Sequence, residues 1–491
     1  MNSAPVSADG HPRGLYTLFF TEMWERLSYY GMRALLVLFM VDQVRNGGLG
    51  LDDKTATAIY GLYTAGVYLA ALPGGWIADR LLGAQRAVWL GGILIAIGHF
   101  LLAVPSSAVF FAGLLFVVAG TGLLKPNISA LVGALYPEGG ARRDAGFTVF
   151  YMGINVGAAI GPLICSALGE KLNWHYGFTA AGIGMVLGLV QFRLTRKHLG
   201  TAGQTPADRG TATRRDWTLL WAGLALAAAV VGLVFAGVIP FDPIQVAQNT
   251  TVLLVGLAGA YFLWAFLFAG LTPTEKGRMG VIVLLFISAA LFWGGYEQAG
   301  SSLNLFAERF TDRSVIGTDW TIPTGWFQTL PAVFVIVFAP VAAAVWMALG
   351  RRGANPSLAV KMALGLLLLA AGFVVVALAA QRSQGGGKVW PTWLVLTYLF
   401  HVFGELCVSP VGLSSVTKLA PARLVGQMMG IWFLAASVGN MAAGLFAGEV
   451  TGEKTAEMAA KFLHVAAVGA GTGLALLALN KPVRRWMGGV E

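Results

Sequence analysis

The most unusual side chains of this sequence are charged residues inside long apolar segments. Seven are clear cases: Glu22, Glu25, Arg26, Arg33, Lys125, Glu297 and Glu405. A charge at the centre of a membrane helix costs at least about 2.5–3.5 kcal/mol, so each one is a candidate for function. Four acids and three bases leave one excess negative charge, which one bound proton would neutralise. Burial and a neighbouring carboxylate favour the protonated form of one member of the Glu22/Glu25 pair, so we expect proton binding there.

Helical geometry places the charges of the first apolar segment on one face. At about 100° per residue, six of its side chains fall on an arc roughly 140° wide. These are Glu22, Glu25, Arg26, Tyr29, Tyr30 and Arg33. Such a face needs a wet cavity or polar partners. In the second half of the chain, Trp293 shares a face with Glu297, and His401 shares a face with Glu405 and Ser409. The alternative is that the charges form permanent ion pairs that only fix helix packing.

The elements that must position these residues are membrane-spanning helices. The 491 residues are 57% hydrophobic and only 11% charged, whereas soluble domains carry about 25% charged residues. Apolar runs of roughly 20 residues, enough to cross a bilayer, recur about 14 times. They lie near 15–42, 55–79, 86–104, 107–133, 145–169, 175–195, 217–237, 249–271, 279–307, 322–350, 356–380, 389–418, 424–449 and 458–480. The sequence therefore predicts an all-α membrane protein.

A polar, basic segment at 196–216 divides the predicted helices. The two apolar helices that follow it are predicted to be an inserted, lipid-facing pair between two six-helix halves. We therefore predict an N-terminal bundle (1–195), a linker with the inserted pair (196–276) and a C-terminal bundle (277–491), a layout that suits a transporter with a central site.

The distribution of basic residues predicts the orientation in the membrane. With an even helix number and both termini inside, 20 of the 33 Lys and Arg residues lie in inner loops, nine in outer loops and four within helices. Basic residues collect on the cytoplasmic side. The formal charge of +10 is thus explained by membrane orientation, and nucleic acid is not an expected partner. The first residues lack the pattern of a cleaved signal peptide.

Several other chemistries have no support in the sequence. There is no phosphate-binding GxxxxGK[ST] motif, no HExxH motif and no Cys/His spacing suited to zinc. The only two cysteines, Cys165 and Cys407, lie in apolar runs. No nucleophile–base set can be assembled, so we expect neither an enzyme nor a bound cofactor or metal.

The charged face also carries a family resemblance. The segment from Glu22 to Gly31, EMWERLSYYG, resembles the ExxERFxYYG signature of the proton-dependent oligopeptide transporters of the major facilitator superfamily, bacterial type. Further similar segments follow in order along nearly the whole chain. They are GWIADRLLG at 75–83, GLLKPN at 122–127, FYMGINVG at 150–157, Phe292-Trp293 with Glu297-Gln298, Gly404-Glu405 with Ser409-Pro410, and the pair at Trp432.

This resemblance implies a major facilitator fold and proton-coupled import of di- and tripeptides by alternating access. It further implies a bacterial inner-membrane protein that works as a monomer. Proton coupling would involve Glu22, Glu25, Arg26 and Glu297. Arg33–Glu297 and Lys125–Glu405 would be gating salt bridges. The substrate would contact Arg26, Tyr29, Tyr30, Arg33, Tyr68, Lys125, Asn155, Trp293, Glu405, Ser409 and Trp432, of which Arg26 and Lys125 would receive the peptide carboxylate and Glu405 the amino group.

The sequence departs from the family pattern at two positions, of which the second bears on the substrate. Leu27 replaces the usual Phe, and Pro331 stands where the family often has an Asn that would bind peptide backbone. One alternative therefore keeps the fold but carries nitrate or another small metabolite. The other is a membrane-bound enzyme or a peptide receptor.

Four local features add structural expectations. Gly153, Gly157 and Gly161 repeat every four residues, which is typical of close helix packing. Pro126 is expected to interrupt the hydrogen-bond ladder of its helix, where a bend could follow. His99 is expected to be a hydrogen-bonded core residue, whereas the face of His401 leaves a core or a cavity position open.

Overall fold

The computed structural model describes residues 10–138, 140–206, 213–449 and 455–489. Several sequence predictions fall partly outside this set. They concern the start of the chain, where the sequence lacks a signal-peptide pattern, and the middle of the 196–216 linker, which includes the inner-loop residue Arg209. They also concern Lys454, one of the nine basic residues assigned to outer loops, and the last two residues of the predicted C-terminal bundle.

The first of two packing units comprises the residues up to Gly50 together with Gly66–Asp242. Its helices are α1 (Arg13–Val41), the second half of α2 (Asp53–Ile77) with a π-helical turn at Ala78–Leu82, α3 (Ala84–Leu102), α4 (Ser107–Ala134), α5 (Gly140–Lys171), α6 (Trp174–Thr195) and α7 (Arg214–Phe235). Helix α1 packs mainly on α5 and α6, while α3 packs on α4 and α6. The unit thus surrounds the charged helix with apolar neighbours.

The second unit comprises Leu51–Ala65 and the chain from Pro243 onward. Besides the start of α2, its helices are α8 (Pro243–Phe268), α9 (Pro273–Tyr296), α10 (Ser302–Phe310), α11 (Leu330–Arg351), α12 (Leu358–Arg382), α13 (Thr392–Leu419), α14 (Val425–Glu449), α15 (Thr455–Ala478) and α16 (Asn480–Met487). Helix α12 packs on α13 and α15, and α9 packs on α14. The predicted three-part division of the chain stays a prediction.

The all-α fold is confirmed. Within the described residues, thirteen helical segments are long and apolar enough to cross a membrane. Helix α1, with 29 residues, is long enough as well, but its four buried charged side chains make it less apolar than the thirteen segments. With α1 included, each of the fourteen predicted helices corresponds to a helical segment of the structure.

The ninth predicted helix differs from the structure because it is broken. Helix α9 ends at Tyr296, a 3-10 turn covers Glu297–Gly300, and α10 starts at Ser302. The Gln298 side chain bridges the break, donating to the Gly294 carbonyl at 3.3 Å and accepting from the Ser302 hydroxyl at 2.7 Å. These bonds satisfy polar groups near a break that would otherwise be costly in an apolar environment.

The inserted helix pair is only partly as predicted. No side chain of α7 is buried within the described structure, as expected for a lipid-facing helix. Helix α8 buries a stripe of small and apolar residues, Ala247, Leu254, Ala258, Phe262 and Ala265, and its main neighbour is α14. It therefore presents one face to protein and the other outward.

Candidate functional site

The charged face of α1 forms a buried ion cluster, here called the first-unit cluster and made of Glu22, Glu25 and Arg26. Arg26 Nε lies 3.0 Å from Glu22 Oε1, one helical turn away, and also pairs with Glu25 Oε2. The three residues are 2%, 0% and 3% exposed. Within these three residues, two carboxylates share one guanidinium, which leaves one excess negative charge before the other charged groups of the first unit are counted.

Glycines of α5 allow α1 to approach closely behind this cluster. A Cβ added at Gly157 would collide with the Met23 carbonyl oxygen and lie 2.9 Å from Arg26 Cβ. A Cβ at Gly161 would collide with the Leu27 carbonyl oxygen. The prediction of close packing by this glycine repeat is confirmed. The backbone of α5 therefore sets the position from which the Arg26 side chain projects.

Tyrosine rings accompany the cations of the first unit. The Arg26 Cζ lies 5.2 Å from the centre of the Tyr29 ring, and the Arg33 Cζ lies 5.5 Å from that of Tyr30. The two tyrosine rings meet edge to face at 5.2 Å. Cation–π contacts of this kind stabilise a buried positive charge while leaving its hydrogen-bond donors available.

Lys125 of α4 belongs to the same electrostatic environment. Its Nζ lies 4.0 Å from the centre of the Tyr68 ring, and its charge interacts with those of Arg26, Glu25 and Glu22. The structure thus brings Lys125 and Tyr68 together with the first-unit cluster.

Asn155 of α5 is also buried in the first unit, with 7% exposure. Its amide nitrogen donates to the Tyr151 carbonyl one turn earlier, at 3.0 Å. This bond holds the amide against its own helix.

In the second unit, the central feature is Glu405 of α13. The Tyr296 hydroxyl, at the end of α9, donates a 2.5 Å hydrogen bond to Glu405 Oε2. The Tyr296 ring stacks on Phe292 at 5.7 Å and meets the Trp293 ring edge to face at 5.4 Å. An aromatic cluster therefore fixes the hydroxyl that holds the carboxylate.

Tyr296 is the residue that the sequence interpretation missed. It precedes Glu297 directly and follows Trp293 by three residues, a spacing that puts Tyr296 and Trp293 on neighbouring positions of one helix face. That spacing was the available signal. The helix break after Tyr296, which ends α9 at this residue, was not visible in the apolar pattern.

The remaining second-unit residues lie on three elements. Glu297 is 6% exposed and begins the 3-10 turn, and its charge interacts with that of Glu405. Ser409 follows Glu405 by one turn of α13. The Trp432 ring, on α14, covers Gly412 of α13, where an added Cβ would collide with it.

Two predicted features differ in detail. His99 is fully buried, and within the described residues neither ring nitrogen has a hydrogen-bond partner, so the expectation of a hydrogen-bonded His99 is wrong. The His401 ring packs on Phe373 at 4.9 Å and lies 6.4 Å from the Tyr296 ring. It is a buried neighbour of the residue that holds Glu405.

The position of Pro331 in its helix is one at which proline is well tolerated. It is the second residue of α11, where a helix leaves backbone N–H groups unpaired, so proline costs no intrahelical hydrogen bond. The two predicted gating pairs, Arg33–Glu297 and Lys125–Glu405, each join residues of different units and stay predictions. Among the described residues, no group of three or more His, Cys, Asp or Glu side chains is arranged to hold a metal ion.

Comparison with known proteins agrees with this description. The POT family model (PTR2) matches residues 85–462. The peptide transporter YePEPT of Yersinia enterocolitica is 42% identical over 494 residues, covering 98% of this chain and 96% of that protein. A di-/tripeptide transporter of Lactococcus lactis subsp. cremoris is 37% identical over 505 residues, covering 100% and 99%. A crystal structure of the peptide transporter POT in complex with sulfate has a TM-score of 0.92 and 42% identity, covering 99% of this chain and 98% of that one.

The helices and buried charges define a multi-span membrane protein of the transporter class. The chain belongs to the POT family. The resemblance seen in the sequence motifs is thereby confirmed. This membership favours a transporter over an enzyme.

Proposed function

We propose that the chain is a proton-coupled symporter that imports di- and tripeptides by alternating access. The observation that carries this proposal is the first-unit cluster, in which two fully buried carboxylates share the Arg26 guanidinium. The two acids face Arg26 and, from α4, Lys125. Loss of charge on one acid by protonation would therefore free one base for a substrate.

The proposed coupling groups are Glu22, Glu25, Arg26 and Glu297. Binding of a proton to one acid of the first-unit cluster weakens its hold on Arg26, whose guanidinium then becomes available to a substrate carboxylate. The membrane potential contributes about 2.3 kcal/mol per charge for each 100 mV. Movement of the proton down this gradient would drive the uphill movement of substrate.

The test is uptake of a labelled dipeptide into liposomes that contain the purified protein, with and without an inward proton gradient. Glu22→Gln and Glu25→Gln should each remove gradient-driven accumulation while leaving downhill exchange of peptide measurable. Glu138→Gln is the matched control, because Glu138 is a half-exposed carboxylate paired with Arg142. If both cluster variants accumulated peptide like the control, the coupling proposal would be wrong.

We propose that the peptide is recognised by its two charged ends. Arg26 and Lys125 would receive the carboxylate, and Glu405 would receive the amino group, with charge-assisted hydrogen bonds at each end. The Tyr296 hydrogen bond would hold Glu405 in position. Further contacts are assigned to Tyr29, Tyr30, Arg33, Tyr68, Asn155, Trp293, Ser409 and Trp432.

The gating pairs are part of the same proposal. Arg33–Glu297 and Lys125–Glu405 would form and break in turn as access alternates between the two sides of the membrane. We further propose a bacterial inner-membrane location with both termini in the cytoplasm, from the basic-residue distribution, and function as a monomer. Labelling of a cysteine placed at Gly489, in intact cells compared with permeabilised cells, tests the orientation.

A carrier of nitrate or another small anion on the same fold is the rival function. An anion has no amino group, so its uptake would not need Glu405. Glu405→Ala should therefore abolish dipeptide uptake if the peptide proposal holds. Proton-driven uptake of nitrate that is unchanged in Glu405→Ala would favour the anion carrier.

A further inference from the structure

The C-terminal helix α16 is a short amphipathic element outside the transport machinery. It covers Asn480–Met487 and buries only one narrow face, formed by Val483 and Met487, which are 3% and 8% exposed. These residues are four apart and so lie one turn above each other. The helix packs mainly on α9 and also touches α12 and α15.

Polar contacts fix α16 at both ends. At its start, the Ser357 hydroxyl donates to Asn480 Oδ1 at 2.5 Å. At its end, Arg278 of α9 donates from Nε to the Met487 carbonyl oxygen at 3.1 Å. A cation at a helix C-terminus stabilises the last carbonyl groups. These contacts fix the helix in the second unit, beside the beginning of α9.

The outward face of α16 is strongly basic. Lys481, Arg484 and Arg485 are all exposed, and no acidic residue occurs between Asn480 and Gly489. Arg278 is already engaged with the end of the helix, so these three cations are the ones that face outward. A patch of one sign with no compensating acid on its own helix favours an anionic partner.

Trp486 shows the depth at which this face lies. Its side chain is 40% exposed, and its backbone carbonyl oxygen lies 3.0 Å from a Cβ added at Gly277, in the first turns of α9. Helix α9 begins its membrane-length segment at Pro273. The first turns of a spanning helix lie near the level of the lipid headgroups, which is also the level that tryptophan prefers.

From these observations we propose that α16 binds the headgroups of anionic phospholipids through Lys481, Arg484 and Arg485, with Trp486 seated at the boundary between headgroup and acyl chain. Because the apolar residues of α16 pack on α9, the contact with lipid would come from the basic side chains, as in juxtamembrane basic clusters that bind anionic lipids, and from Trp486. Each basic side chain near an anionic surface strengthens binding about fivefold. The inference uses the membrane position of α9 and does not depend on the transported substrate.

The test compares lipid retention by the full-length protein and its variants. The purified protein is mixed with equal amounts of phosphatidylglycerol and phosphatidylcholine, and bound lipids are counted by native mass spectrometry. The wild type should retain phosphatidylglycerol in preference to phosphatidylcholine. The double variant Arg484→Gln/Arg485→Gln should lose about 25-fold of this preference, from about fivefold for each charge.

The matched control is Arg351→Gln/Arg352→Gln, which removes two adjacent exposed arginines at the end of α11. It should change the preference less than threefold. An equal loss in both double variants, or no loss in the α16 variant, would overturn the proposal. If the α16 double variant is unstable, Lys481→Gln tests the same face with a milder change, for which the expected loss is about fivefold.

A second measurement reports on Trp486 itself. In vesicles of phosphatidylcholine with brominated phosphatidylglycerol, bromine should quench more tryptophan fluorescence in the wild type than in Trp486→Phe. Equal quenching of the two proteins would contradict the headgroup position. Neither measurement uses a substrate or a proton gradient, so a failure of the transport proposal leaves this result unaffected.

Discussion

Replacement of Gly157 by alanine is the sharpest test of how α5 positions the first-unit cluster. The added methyl group would meet the Met23 carbonyl oxygen, with Arg26 Cβ and Leu27 N each 2.9 Å away. Two of these three atoms belong to the backbone of α1, so a change of side-chain rotamer cannot relieve the collision. The two helices must separate or shift along each other.

The expected cost follows from two opposing effects. Overpacking of a close-packed contact costs about 1–3 kcal/mol, while alanine in place of glycine within a helix gains up to about 1 kcal/mol. Subtracting a gain of about 1 kcal/mol from that cost leaves a net loss of up to about 2 kcal/mol. Because Arg26 is carried by the displaced turn of α1, the same substitution should also lower proton-driven uptake more than its effect on stability explains.

The assay is thermal unfolding of the detergent-solubilised protein, together with uptake at a temperature at which both proteins remain folded. The control is Gly223→Ala in α7, where no atom lies within 4 Å of the added Cβ, so it should be neutral or slightly stabilising. If Gly157→Ala were as stable and as active as this control, the close contact between α1 and α5 would not be what positions Arg26.

Three further perturbations test other parts of the structure. Tyr296→Phe removes the 2.5 Å hydrogen bond to Glu405 and should destabilise the protein by about 1–2 kcal/mol. The same variant should raise the KM for dipeptide. An unchanged KM would contradict the role of Tyr296 in positioning Glu405. The Asp53–Arg309 pair is bidentate and partly buried. A double-mutant cycle with Asp53→Asn and Arg309→Gln should therefore give a coupling free energy of about 1 kcal/mol. If the effects of the two substitutions on stability simply added, the pair would not stabilise the fold. Hydrogen bonds from the Thr55 hydroxyl and N–H hold the pKa of Asp52 below its ordinary value. Its stabilisation is therefore present above about pH 4 and lost as the pH falls through the lower, folded-state pKa. The thermal stability of Asp52→Ala should accordingly fall below that of the wild type at neutral pH and approach it in acid.

The helices could be predicted because apolar length alone specifies a membrane span. The cluster on α1 could also be predicted, since the spacing of Glu22, Glu25 and Arg26 fixes their shared face in any helix. By contrast, the partner of Glu405 depends on where α9 ends. The break at Glu297–Gly300 is held by side-chain bonds of Gln298 that no periodic pattern encodes.

His99 shows a different limit of the sequence interpretation. A histidine in an apolar helix is normally expected to find a hydrogen-bond partner, because an unpaired buried polar group is costly. Whether one is within reach depends on the neighbouring helices rather than on its own segment. Among the described residues none is within reach of either ring nitrogen.

Pro126 removes one hydrogen bond of its helix, as predicted, without ending the helix. Proline cannot donate to the carbonyl four residues earlier, so Gly122 loses its intrahelical bond, yet α4 continues unbroken from Ser107 to Ala134. The Gly122 carbonyl lies so close to Gly74 of α2 that a Cβ there would collide with it. Asn127 of α4 also joins the two helices, because its side chain donates a hydrogen bond to the Gly74 carbonyl at 3.2 Å. The contact between α2 and α4 beside Lys125 can be this close because Gly74 has no side chain, and it faces the carbonyl that Pro126 leaves without its usual intrahelical partner.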